Sequence, residues 1–188
     1  DKSHSLRWVK DTNAKFDVTW QATKHHALKS GILYTIHDLD QQSRTIRNKY
    51  YGTDLEADLY EPVVYSDSSV YSDIYTVKPR ELSAYIQDKI EYDEMVINFG
   101  LRYDYFDPNT RYPSDLRNPA NQLVFADSLN RKTDYLDAKP QVQISPRLGL
   151  SYQLSNAALL HFSYGHFFQM QALYAIYDNH SFQVSPSD

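Results

Sequence analysis

Ser83-Ala84-Tyr85-Ile86-Gln87-Asp88-Lys89-Ile90-Glu91-Tyr92, then Asp93-Glu94-Met95, then Val96-Ile97-Asn98-Phe99-Gly100-Leu101-Arg102-Tyr103-Asp104-Tyr105, reads as two strands folded over a tight turn, with one oily face and one polar face. In the second strand Ile97, Phe99, Leu101, Tyr103 and Tyr105 share one parity, while Asn98, Gly100, Arg102 and Asp104 share the other. Soluble edge hairpins alternate too. An apolar side this long, finished by two tyrosines, is how a strand pair of a membrane β-barrel reads.

Composition is compatible with that reading. The chain has 188 residues, 23% of them charged, and no apolar run approaches the roughly 18 residues that a spanning helix needs. A barrel tolerates such polarity, because alternate residues face a wet lumen and the long loops are polar. The absence of cysteine excludes a disulfide scaffold and a cysteine-based zinc site. A net charge of -5, with the basic residues dispersed, argues against a nucleic-acid partner. Asp1 begins abruptly and Asp188 ends without a closing motif, so the expectation is an excised piece of a longer chain.

Two further strand pairs flank the central hairpin. One runs from Asn13 to Thr23, turns at Lys24-His25 and returns to about Leu39. Its outward parity is Phe16, Val18, Trp20, Ala22, then Leu28, Ser30, Ile32, Tyr34 and Ile36; its lumen parity includes Lys15, Asp17, Lys29, Gly31 and His37, with Leu33 an exception. The other runs from Ile144 to Leu154, turns at Ser155-Asn156 and returns to about Gln169. Its Leu148, Leu150, Tyr152, Leu160, Phe162 and Tyr164 share one face. The pairs thus occupy about 13–39, 82–106 and 144–169, separated by long polar stretches at about 40–79 and 107–143.

Turns that alternate short and long mark tight periplasmic turns and long extracellular loops. Trp20, Tyr92 and Tyr152 are then expected near the periplasmic rim, and Tyr34, Tyr103, Tyr105 and Tyr164 near the outer one. The expected fold is all-β: an antiparallel up-and-down meander of about six strands, an open segment of a transmembrane barrel surrounded by outer-membrane lipid, whose first and last strands keep unpaired outer edges. Asp88 breaks the apolar parity of Ile86 and Ile90, so it is expected at the periplasmic rim or turned inward by a bulge.

These residues resemble a known family. Ala84-Tyr85-Ile86-Gln87-Asp88-Lys89 followed by Asn98-Phe99-Gly100-Leu101-Arg102-Tyr103-Asp104 is similar to the "YxQD … GxRYD" strand pair of TonB-dependent outer-membrane receptors. Ile144-Ser145-Pro146-Arg147-Leu148-Gly149-Leu150-Ser151-Tyr152, with Phe162-Ser163-Tyr164-Gly165-His166-Phe167, resembles the "SPRLGxSY … xYGxxF" pair that follows, above all in Oar-like receptors with a carboxypeptidase-regulatory-like module. The resemblance implies a longer parent with a barrel of roughly 22 strands, of which this piece supplies about six. It also implies a plug domain, coupling to the inner-membrane TonB complex and import of a nutrient, none of whose machinery lies in this stretch.

A barrel wall is not an active site, and no catalytic group or cofactor is expected. Lys89, Glu91, Arg102, Asp104 and Arg147 share the lumen parity. They either contact the plug or the passing substrate, or pair with one another as wall charges, with Arg147 the foremost candidate for a plug contact. His25 with His26, and His161 with His166, fall on opposite faces of a strand, which disfavours a metal site. Tyr60, Tyr65, Tyr71 and Tyr75 stand in a loop where they are placed either to capture a ligand or to pack the loop on itself. The tail from Met170 to Phe182 is expected to form a short helix or a cap at the mouth. Competing functional readings are a passive porin or small outer-membrane barrel, and a soluble β-rich binding or adhesion module.

Overall fold

The structure, a computed structural model, describes residues 2–67, 69, 71–113 and 135–177. In chain order the strands are β1 (Lys2–Gln21), β2 (His26–Asn48), β3 (Pro62–Val64), β4 (Ser72–Val77), β5 (Arg80–Glu91), β6 (Met95–Asp107), β7 (Arg111–Pro113), β8 (Tyr135–Asp137), β9 (Gln141–Ser155) and β10 (Ala158–Gly165), followed by one helical turn, α1 (Leu173–Ile176). The main sheet has the order β1-β2-β5-β6-β9-β10, every pair antiparallel, with β3 and β4 adding to the upper part of β2. It forms a half-barrel whose edge strands, β1 and β10, do not pair with each other. The expected meander with free outer edges is therefore present among the described residues.

Register shows why one face is oily. Directly opposed residues lie on the same side of a sheet, and the rows Phe16–Ile32–Ala84–Tyr103–Ile144 and Trp20–Leu28–Asp88–Phe99–Leu148–Tyr164 run across it. Phe16 is 68% exposed, Phe99 51% and Ile144 60%, so among the described residues no protein packs against these rows. Along β6 the apolar parity from Ile97 to Tyr105 covers about 27 Å of strand, or about 22 Å of height at a tilt of 35°, close to the ~25 Å apolar band of an outer-membrane barrel. Above it the outward side turns polar: Lys78 pairs with Asp38 at 3.3 Å, and Arg80 stands opposite Asp107.

Tilt can be read from the same ladder. His26, the first residue of β2, shares the row His26–Ile90–Ile97–Leu150–Phe162 with the fifth residue of β10. With the tight turns level, that is four residues of stagger over four inter-strand steps, about 13 Å against about 19 Å, a tilt of roughly 35°. The stagger also explains how Trp20, beside the end of β1 at the tight-turn rim, shares a row with Tyr164, beside the end of β10 at the opposite rim.

The tight turns fall at one end of the sheet, between Gln21 and His26, at Asp93-Glu94, and at Asn156-Ala157, one residue later than the sequence indicates. Several strands differ from expectation. β1 and β2 extend well beyond Asn13 and Leu39, because Lys2–Thr12 pairs with Ile36–Ile46 above the apolar belt, where water relaxes the demand for an oily outward face. Part of the stretch 40–79 is thus ladder, with β3 and β4 folded back on β2. Of 107–143, the described part contains the β7–β8 ribbon, and 114–134 lie outside the described residues. β10 stops at Gly165 instead of Gln169. The Pro146 carbonyl accepts from His166 N at 3.1 Å, so the polar edge of Pro146 faces β10, but proline has no N–H to return the bond and the ladder ends.

Asp88 stays in regular register on the outward face, opposite Leu28 and Phe99, three residues before β5 ends at Glu91. It lies toward the tight-turn rim and no bulge turns it inward. There His26 Nδ1 meets its Oδ2 at 2.8 Å. Inside, Gly31 is required by a close approach. Tyr85 lies over it to donate a 3.0 Å hydrogen bond to Asp17, and a Cβ there would stand 2.6 Å from the tyrosine ring.

Two outcomes follow in the full-length receptor. Gly31→Ala crowds both the Asp17 carboxylate and the Tyr85 ring and costs about 1–3 kcal/mol in urea-unfolding experiments; adding Tyr85→Ala recovers only part of that loss, because Asp17 still meets the new methyl. Asp88→Leu, by contrast, changes stability by less than about 1 kcal/mol, as a carboxylate near the interface should. Heat-modifiable gel mobility reports folding in both cases.

Candidate functional site: the concave wall and its mouth

Side chains two apart on a strand share a face about 7 Å apart, within reach of a lysine or arginine. The wall uses that spacing repeatedly. Lys15 Nζ is 2.8 Å from Asp17 Oδ2, and Lys89 pairs with Glu91. Arg102 Nε donates to both oxygens of Asp104 at 2.9 Å, its second arm donates to Ser83 Oγ at 2.9 Å, and the Ser83 hydroxyl donates to Asp104 at 2.7 Å. Of the residues singled out from sequence, Lys89, Glu91, Arg102 and Asp104 do share one face, and each already holds a partner in the wall.

Arg147 differs. Gly100 and Gly165 flank it across the ladder, and its guanidinium carbon is 5.3 Å from the Phe167 ring centroid. The surrounding concavity, about 800 Å³, is lined by Lys29, Tyr85, Arg102, Arg147 and Phe167 among others. Lys29 occupies the same cross-strand row as Arg147, and sequence reading assigned it to the lumen without giving it a role. The missed signal was its sequence neighbours: Ala27 and Gly31 provide no carboxylate on its face.

At the long-loop end the wall carries a small apolar cluster, in which Leu39, Tyr75, Val77 and Tyr177 are buried and Leu173 and Ile176 pack against them. The chain reaches it by leaving β10 and crossing to the concave side of β2, so the segment through α1 spans the mouth. The Tyr177 hydroxyl donates to the Pro108 carbonyl at 2.6 Å, and Arg7 lies 4.7 Å from the Tyr174 ring. Below, His37 Nδ1 meets Asp11 at 2.7 Å while Nε2 is 3.2 Å from Glu81, close but not aligned as a hydrogen bond. The expected short helix in 170–182 is α1; residues 178–182 lie outside the described residues.

The tyrosines of the expected capture loop divide. Tyr75 is in β4 and buried, opposite Gln41. Tyr65 and Tyr71 meet at a tilt with ring centroids 4.5 Å apart, and Arg47 donates to the Tyr71 hydroxyl at 2.7 Å while its guanidinium lies 3.9 Å from the Tyr51 ring. Tyr60 is 59% exposed, with Lys2 at 5.9 Å from its ring. In the same hairpin Lys49 grips both oxygens of Glu61 at 2.9 Å; that contact holds the Glu61 carboxyl below its ordinary value and raises Lys49 above its own. Of the histidines, His25 bonds the Glu91 carbonyl, His26 bonds Asp88, His161 bonds Ser151 and His166 bonds Tyr164. Among the described residues no group of His, Asp and Glu is arranged to hold a metal ion.

Burial, reinforced by Asp107 and Tyr75, holds the Tyr177 phenol above the ordinary tyrosine range. Because the folded value is raised, the mouth contact is complete below about pH 10 and is lost only as pH rises further. Tyr177→Phe leaves the Pro108 carbonyl unpaired and weakens docking by about 1–2 kcal/mol. Hydrogen exchange at Ala175 and Tyr177 in the full-length receptor measures both effects: faster exchange in the variant at neutral pH, and in the wild type only at strongly alkaline pH.

Residues 2–187 match the family model described as TonB dependent receptor-like, beta-barrel. No match was found among curated proteins or among solved structures. That family comprises transporters of the Gram-negative outer membrane and is not an enzyme family. Nearly the whole length matches, and the half-barrel, the tilt, the outward apolar belt and the paired polar wall are what such a barrel requires, so the chain belongs to the TonB-dependent receptor β-barrel family.

Proposed function

We propose that this chain is part of the wall of an outer-membrane importer that takes up a scarce nutrient, with transport driven by the TonB complex acting on a plug domain in the parent protein. The observation that carries the reading is the open sheet itself. Among the described residues its β1 and β10 edges are unpaired across a belt of apolar residues, and a bilayer offers nothing to unpaired N–H and C=O groups, each of which costs several kcal/mol there. Neighbouring strands of a larger barrel satisfy those edges, and a larger barrel has room for a plug. In this orientation the tight turns are periplasmic and the β2–β3–β4 ribbon stands in the extracellular medium. Lys89, Glu91, Arg102 and Asp104 act as mutually neutralised wall charges. Tyr60 is the loop tyrosine best exposed for ligand contact.

A soluble adhesion module fits poorly, since the apolar belt runs across the strands with His26, Ser30 and Asp88 as its polar interruptions on β2 and β5. The porin reading is separated by energetics. In cells carrying the full-length gene, uptake of the nutrient that the receptor supports is expected to fall to background when TonB is deleted. Uptake that persists without TonB overturns active import and makes the barrel a passive pore.

A further inference from the structure

Within the apolar belt, the lumen-facing cations of this sheet follow a rule that breaks at two positions; above the belt, Arg7 is held by Gln41 and Tyr174 instead. Lys15, Lys89 and Arg102 each meet a carboxylate two residues along their own strand: Asp17, Glu91 and Asp104. At that spacing Lys29 has Ala27 and Gly31, and Arg147 has Ser145 and Gly149. Across the ladder Lys29 faces Thr19 and Gln87, and Arg147 faces Gly100 and Gly165. Among the described residues neither cation is paired with a carboxylate, and Asp104, whose field reaches Arg147, is already held by Arg102 and Ser83.

The register brings these two cations into one row, Lys29–Gln87–Gly100–Arg147–Gly165. Their backbones are separated by three inter-strand steps, about 14 Å, and two long flexible side chains shorten that gap from both ends. Glycine at position 100 leaves no side chain beside Arg147 on the floor between them. The concavity they share, about 800 Å³, is in the size range of small-molecule sites. One wall is aromatic: the Phe167 ring packs 3.4 Å from where a Cβ on Gly165 would stand and presents most of its surface to the open space beside Arg147.

We propose that Lys29 and Arg147 form a binding site for a small organic anion, its carboxylate held between the ammonium and the planar guanidinium fork and its apolar body resting against Phe167. A guanidinium matches a carboxylate with parallel hydrogen bonds, and an ammonium supplies a point charge from the other side. Between them the row carries Gln87 and Gly100, both of which line the concavity. This inference rests on the reading of the sheet as a lumen wall and adds to it the chemical class of the solute.

The test uses detergent-solubilised full-length receptor and two probes of nearly equal shape, benzoate and its uncharged counterpart benzamide, with binding followed by saturation-transfer NMR. The wild type is expected to prefer benzoate by about tenfold or more. Lys29→Gln with Arg147→Gln removes that preference, each single substitution reduces it, and Lys29→Arg retains it. The single and charge-conserving variants keep the test decisive if the double variant folds poorly. A wild-type receptor that does not distinguish benzoate from benzamide overturns the proposal, as expected if an acidic side chain of the parent's plug already fills the site. A preference that survives both substitutions overturns it as well. Binding is measured without TonB, so failure of energy-coupled uptake and failure of this site are read separately.

Discussion

In the hydrocarbon of a bilayer there is no water to bond an amide, so each backbone N–H and C=O must find its partner in the neighbouring strand. Much else in this structure follows from that constraint. It requires the long antiparallel ladders from β1 to β10. Because the side-chain period of a strand is 2, pairing forces every second residue toward lipid and every other one toward the lumen. Apolar parity is therefore the price of crossing, and where the belt ends the parity relaxes: Asp38, Asp40 and Gln42 lie outward on β2 once the ribbon is above the belt, still paired but no longer constrained to be oily.

The same constraint shaped what could be read from the sequence. Ile97 through Tyr105 announced a lipid-facing strand because lipid leaves so little freedom at those positions. Beyond Leu39 the chain gave no such signal. Asp40-Gln41-Gln42-Ser43-Arg44 looks like a polar loop, yet it continues β2, since strand pairing in water needs no oily face. Tyr75 was legible as a tyrosine but not as a buried one; its burial comes from the segment around Tyr177, more than a hundred residues further along the chain, folding back over β4. The end of β10 was written in Pro146, on a different strand, and only the register identifies which neighbour loses its donor.

For the wall, sequence parity put Lys89, Glu91, Arg102, Asp104 and Arg147 on one face, and the register sets them on one side of the sheet. Which of them remain available to a solute was a matter of local geometry. The same spacing of two that makes Lys89 and Glu91 neutralise each other leaves Arg147 between serine and glycine. Polarity in the lumen thus has two forms here: charges closed on themselves, which keep the wall wet without binding strongly, and cations such as Arg147 that meet no carboxylate two residues along their strand. Gly31 lies under the Tyr85 ring, whereas Gly100 places no side chain between Gln87 and Arg147.

The central claim is that one face of this sheet meets lipid and the other water. The absence of cysteine makes it directly measurable, because single cysteines can be introduced one at a time from Ile97 to Tyr105 in the full-length receptor without background. Each is tested in reconstituted vesicles with a water-soluble maleimide and, as a fluorescent adduct, with brominated lipid. The account predicts a strict alternation: positions 97, 99, 101, 103 and 105 quenched by lipid and protected from the maleimide, positions 98, 100, 102 and 104 the reverse. Equal labelling along the strand, or quenching without a period of 2, would contradict it.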